Sequence, residues 1–181
     1  NAMFDVDNLP VIYMKVRLSV AGAGVPDTDH QFFMGLTDAV AAGPASGAPL
    51  DWLGFTNTSD GPGATGTGDW YAQARDASTG NPVSCGVAVS ETNFSLLIIK
   101  VRANNSVDML IDANVSDGIS PTLCTTFTSN IEQTDMSALF KVDFDANSNA
   151  PSLEIDYFRA WQDDADGDNQ ALESEPPLVV D

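Results

Sequence analysis

The sequence predicts an all-β protein, a two-sheet antiparallel β-sandwich of the jelly-roll kind, and three observations carry that expectation. Pro10 to Ala21 (PVIYMKVRLSVA) sets Ile12, Met14, Val16, Leu18 and Val20 against Tyr13, Lys15, Arg17 and Ser19, so one face of an extended chain is apolar. The stretch FSLLIIKVRA, then Asn104-Asn105, then SVDMLIDAN has the form of a hairpin, because Asn tolerates the left-handed backbone of a two-residue turn. Roughly ten short runs of this type are separated by Gly, Pro, Asn and Asp with almost no helical period, a pattern that stacks into two sheets.

After the turn-rich GAGVPDTD comes HQFFMGLTD, a strand closed by Gly35 and Asp38. Ala39 to Pro49 reads as loop; the alternative is an Ala-rich helix, against which Gly43, Pro44, Gly47 and Pro49 argue. Trp52 to Asn57 and Asp69 to Arg75 pair around the Gly-rich SDGPGATGTG. That loop lacks the Lys-Ser/Thr ending of a phosphate cradle and no helix follows it, so it is a connection. CGVAVS is a further strand, read as a sheet edge.

In the Asn104-Asn105 hairpin, a two-residue turn pairs Ile98 with Ile111 and Ile99 with Leu110, with Lys100 and Arg102 near the tip. Both faces are apolar, which places these strands inside a sheet covered on both sides. Leu123 to Ser129 adds a strand, and Asn130 to Ser137 a connection or short helix. Leu139 to Asp145 (LFKVDFD) and Ser152 to Gln162 (SLEIDYFRAWQ), joined by DANSNAP, read as a closing hairpin with Phe140, Val142, Phe144, Leu153 and Ile155 inward. Its register sets Asp143 opposite Glu154 and Lys141 opposite Asp156.

With 181 residues, 43% of them hydrophobic, the chain can bury one full core, so a single domain is expected. Residues 1–2, ahead of Met3, read as an expression remnant, 3–162 as the sandwich, and 163–181 as an acidic tail or linker. Asp and Glu number 26 against 7 Lys and Arg, a net charge of −19. Such a field repels phosphate backbones and anionic lipid, which excludes nucleic acid and membrane surfaces as partners. The most apolar stretch, FSLLIIKV, is interrupted by Lys100 and is too short to span a bilayer as a helix. Cys85 and Cys124 are expected to be buried free thiols. The alternative, a bridge between them, would stabilise the fold by about 3–4.7 kcal/mol on the chain-entropy account. There is no C-x-x-C pair to hold zinc.

Three stretches in this order, FFMGLTD, FSLLIIKVRANNSVDMLIDA and LEIDYFRAWQ, resemble the concanavalin A-like lectin/glucanase superfamily, above all its laminin-G-like and phage or cell-surface modules. The resemblance runs from Val11 to Gln162 and implies the sandwich fold. Retaining glycosidases of that superfamily carry Glu, an apolar residue, Asp, any residue and Glu along one strand, so that two carboxylates share a face. Here Glu154-Ile155-Asp156 begins the pattern and Phe158 stands where the second Glu is needed. The expectation is therefore not an enzyme, with no catalytic residue. It is a lectin-like module of an exported or virion-associated protein that binds glycan or serves in adhesion, located outside the cell, at the cell surface or on a virion. The alternatives are a purely structural or assembly domain of a phage or cell-surface protein, and a degenerate glycoside hydrolase.

For a glycan the candidate ligands are Trp52, Trp70 and Tyr71, which flank the long loops and can offer a flat ring to a pyranose, with Asp143, Glu154 and Asp156 as a polar floor that accepts from sugar hydroxyls. Other domains of a longer parent protein are the further partners. No metal or other cofactor is expected. Asp164, Asp166, Asp168 and Glu175 occupy the first, third, fifth and twelfth places of a calcium loop, but Asn169 stands where the turn needs Gly and Pro176-Pro177 removes the following helix. Asp27, Asp29 and His30 read as turn chemistry before a strand.

Overall fold

Alternation needs two environments, and strand β2 (Val11–Val20) has both: Ile12, Met14, Val16 and Leu18 are buried while Tyr13, Lys15 and Arg17 are half-exposed. The computed structural model describes residues 4–5, 8–20, 30–38, 51–58, 66–76, 80, 82–131, 135–144 and 151–162. Besides β2, they form β1 (Phe4–Asp5), β3 (His30–Thr37), β4 (Trp52–Thr58), β5 (Gly66–Arg75), β6 (Val83–Ala88), β7 (Ser95–Arg102), β8 (Ser106–Asp112), β9 (Thr122–Phe127), β10 (Asp135–Phe144) and β11 (Pro151–Trp161). One sheet runs β1-β10-β3-β4-β5-β6 and the other β11-β2-β7-β8-β9, with every pairing antiparallel.

The core lies between the sheets. Met34, Leu53 and Phe55 from one meet Met14, Leu97 and Met109 from the other. Each such side chain taken fully out of water contributes about 1.5–3 kcal/mol. The hairpin Leu96–Ile98 region is apolar on both faces because it is buried on both: Leu96 and Ile98 are covered although they point away from the core, and β7 is the middle strand of its sheet. Strand β6 is a sheet edge, as read from the sequence.

Gly35 does not close its strand. It lies inside β3, directly opposite Gly54 of β4. A Cβ on Gly35 would sit 2.2 Å from the Leu53 carbonyl oxygen and one on Gly54 2.4 Å from that of Met34, so only glycine permits this approach of two backbones.

The closing hairpin does not form. β10 pairs with β3 and β11 with β2, so the two strands belong to opposite sheets. Alternation states only that each strand has a core face, and a connection of that length can cross the roughly 10 Å between sheets as readily as fold back. The charges favour the observed pairing. Asp143 would have faced Glu154 in the hairpin, whereas in the structure Glu154 faces Arg17 and Asp143 faces Gln31. A bulge at Asp156 also switches the parity of β11, so Phe158 and Ala160 turn to the core and Tyr157, Arg159 and Trp161 turn outward.

Between β7 and β8 the register differs by one from the two-residue turn. Ile98 pairs with Leu110 and Ile99 with Met109, around a three-residue turn, Ala103 to Asn105. Asn105 supplies the left-handed residue (φ 54°) and its N–H donates to the Arg102 carbonyl at 3.1 Å. Because both faces are apolar, no pattern penalised the slip.

The cysteines are not free. Cys85 of β6 and Cys124 of β9 form a disulfide that joins the edge strands of the two sheets.

Candidate functional site

The outward face of the six-stranded sheet is built by register. Phe33, Thr56 and Tyr71 form one row, Gly35, Gly54 and Gln73 the next, and Thr37, Trp52 and Arg75 a third. Lys141 of β10 extends the first row beside Phe33. The Phe33 and Trp52 rings pack with centroids 5.0 Å apart, and the Arg75 guanidinium lies 5.2 Å from the centre of the Trp52 ring. Gln73 donates through Nε2 to the Gly80 carbonyl at 3.2 Å. Among the described residues its Oε1 has no hydrogen-bond partner, nor does Trp52 Nε1 or Arg75 Nε, although all three atoms are shielded from water. Two donors and one acceptor are thus unmet on adjoining strands.

The structure separates the sequence candidates. Tyr71 lies half-buried on this outward face. Trp52 lies there too but is only 1% exposed, so it does not reach solvent beside a loop as expected. Trp70 is likewise 1% exposed and points the other way, into the core, because neighbouring residues of a strand cannot share a face. Asp143 is placed opposite Gln31 on β10. Gln73, Arg75 and Phe33 were not among the candidates. Their sign was in DWYAQAR, where Trp70, Ala72 and Ala74 alternate with Asp69, Tyr71, Gln73 and Arg75.

Glu154 and Asp156 belong to the outward face of the other sheet, and neither is a free acceptor. Arg17 pairs with Glu154, its Nε donating at 3.1 Å, and Lys15 Nζ lies 2.6 Å from Asp156 Oδ2. The same cations lie over the Phe94 ring, Arg17 at 4.7 Å and Lys15 at 5.3 Å from its centroid. Farther along this face Arg102 pairs with Asp108, whose second oxygen accepts from Thr126 Oγ1 at 2.8 Å. Burial would raise the Asp108 carboxyl, but the hydrogen bonds from Arg102 and Thr126 and the charges of Arg102 and Lys100 outweigh it and hold the group below the ordinary carboxylate value. The Tyr157 hydroxyl is pushed above its ordinary value, chiefly by burial and also by Asp156, against the lowering charges of Lys15 and Arg159.

Among the described residues, no group of three or more His, Cys, Asp or Glu could hold a metal ion. The calcium-loop positions Asp164, Asp166, Asp168 and Glu175 lie outside the described residues.

No family profile and no curated protein sequence matches the chain. Solved structures do. A protein of unknown function from Shewanella oneidensis MR-1 superposes with a TM-score of 0.57 at 12% identity, over 86% of this chain and 58% of that one. A legume lectin-like domain from Entamoeba histolytica gives 0.56 at 13%, over 85% and 72%. An alginate lyase from Pseudomonas aeruginosa gives 0.50 at 14%, over 88% and 67%. The chain therefore spans little more than half the length of the Shewanella protein. At such identities the likeness speaks for architecture alone, a two-sheet β-sandwich of the lectin-like kind that the sequence resemblance implied.

Proposed function

We propose that this protein is a non-enzymatic carbohydrate-binding module and that its glycan is read by the outward face of the six-stranded sheet. The observation that carries the proposal is the set of unmet polar atoms there: donors Trp52 Nε1 and Arg75 Nε beside the acceptor Gln73 Oε1. An apolar or purely anionic ligand answers only part of that set, whereas a sugar hydroxyl both donates and accepts. Leaving a buried donor or acceptor unsatisfied costs about 1–3 kcal/mol, which a hydroxyl that displaces the covering groups would recover. Tyr71, half-buried on the same face, supplies a ring edge or face for the sugar's C–H groups.

Lectin-like and glycan-active structures among the likenesses agree with this assignment. The disulfide fits an oxidising, exported setting. A glycan array probed with the purified protein tests the proposal. Saturable binding of a neutral oligosaccharide, reduced tenfold or more in Gln73→Ala and in Tyr71→Ala with melting temperature retained, supports it. Silence across the array leaves a structural or assembly domain.

A further inference from the structure

The seven cations of this acidic chain are not spread evenly. Lys15, Arg17, Lys100, Arg102 and Arg159 all lie on strands β2, β7 and β11 and face outward from the five-stranded sheet. Three of the five have a carboxylate: Lys15 has Asp156, Arg17 has Glu154 and Arg102 has Asp108. Arg159 has none. It is exposed and rests over the Tyr157 ring, 5.3 Å from the centroid.

The bulge at Asp156 sets Tyr157, Arg159 and Trp161 in one outward row along β11. All three side chains are hydrogen-bond donors, and among the described residues the Tyr157 hydroxyl and the Trp161 indole N–H, both shielded from water, have no hydrogen-bond partner. Among the described residues, the carboxylates of β11, Glu154 and Asp156, are occupied by cations. A cluster of donors without acceptors suits an anion, and the geometry of an Arg fork suits a carboxylate. Beside this row the half-buried Trp161 and Tyr13 rings are stacked, with centroids 5.2 Å apart and planes 19° from parallel, so aromatic surface adjoins the donors.

We propose that this face is a second recognition site, separate from that of Gln73, and that it takes a carboxylated sugar. The carboxylate is bound by the exposed Arg159 and, once it displaces the groups that cover them, by the Tyr157 and Trp161 donors, and the ring's C–H face rests on the Tyr13–Trp161 pair. The net charge of −19 gives an anion no attraction from afar, so recognition rests on short-range contacts. An acidic peptide would satisfy the donors but has no flat apolar face to match the stacked rings.

The test is calorimetric titration of the whole chain with triuronates (glucuronic, galacturonic, mannuronic and guluronic), their neutral counterparts, and hexaglutamate. At least one triuronate should bind saturably. Arg159→Ala should weaken it tenfold or more, Arg159→Lys less, and Tyr157→Phe by a smaller factor, each with an unchanged melting curve. Gln73→Ala should leave triuronate binding intact while weakening any neutral glycan, so failure of one site is distinguishable from failure of the other. The proposal is overturned if no triuronate binds, if Arg159→Ala binds as well as the parent, or if hexaglutamate binds as tightly as the best triuronate.

Discussion

Cys85 and Cys124 tie the last strand of one sheet to the last strand of the other, with Cα atoms 4.7 Å apart and 39 residues between them in sequence. Closing a loop of this length removes denatured-state entropy equivalent to about 4 kcal/mol. Reduction, or Cys85→Ser with Cys124→Ser, should therefore lower stability by about 2–5 kcal/mol in urea titrations, with both sheets still formed by circular dichroism. An unchanged midpoint would show that the native state, or the denatured one, does not depend on the bridge.

The Gly35–Gly54 contact should be intolerant of the smallest side chain. The obstructing atoms are backbone carbonyls, which cannot swing aside as a side-chain end can. Gly54→Ala and Gly35→Ala should each cost more than about 2 kcal/mol, read from chemical denaturation. A cost under about 0.5 kcal/mol would mean the strands can part locally.

The Arg17–Glu154 and Lys15–Asp156 pairs should matter less than their short contacts imply. Their side chains are 25–45% exposed, so water and salt screen them, and such pairs are worth about 0–1 kcal/mol. Glu154→Gln should destabilise by less than about 1 kcal/mol, and the loss should shrink at high salt. Arg17→Ala should cost more than Glu154→Gln, because it also removes the guanidinium from the Phe94 ring. Equal losses in melting experiments would refute that ranking.

Asp108 gives the fold a pH dependence of known sign. Its folded-state carboxyl titrates below the ordinary value of 3.8, so the stability it contributes is complete above that value and fades as pH falls from there through the depressed folded value. Near neutral pH, Asp108→Asn should lose about 1–2 kcal/mol, after allowance for the half-exposed Arg102. The gap between parent and variant should close as pH drops below 3.8. A gap that is constant with pH would mean the loss comes from packing and not from charge.

The periodicity of single strands was legible in the sequence because it is local. Ile12 to Leu18 alternate whatever they pair with, and the apolar faces of β7 and β8 require cover on both sides wherever those strands lie. The core therefore followed from the chain alone, and with it the two-layer architecture. Partner choice did not. Phe140 and Leu153 suit a core equally well in a hairpin and in opposite sheets, and nothing local to β11 tells that its acids lie opposite Arg17 and Lys15, residues more than 130 positions away in sequence. The same holds for the sites. Trp70 and Tyr71 are adjacent in sequence and equally aromatic, yet the pleat sends one to the core and one outward. Arg159 and Trp161 face outward only because the bulge at Asp156 shifts the parity of β11. Whether Cys85 and Cys124 meet is likewise a property of two sheet edges brought side by side, since composition describes each residue's preference for burial and tertiary packing alone sets what it is buried against.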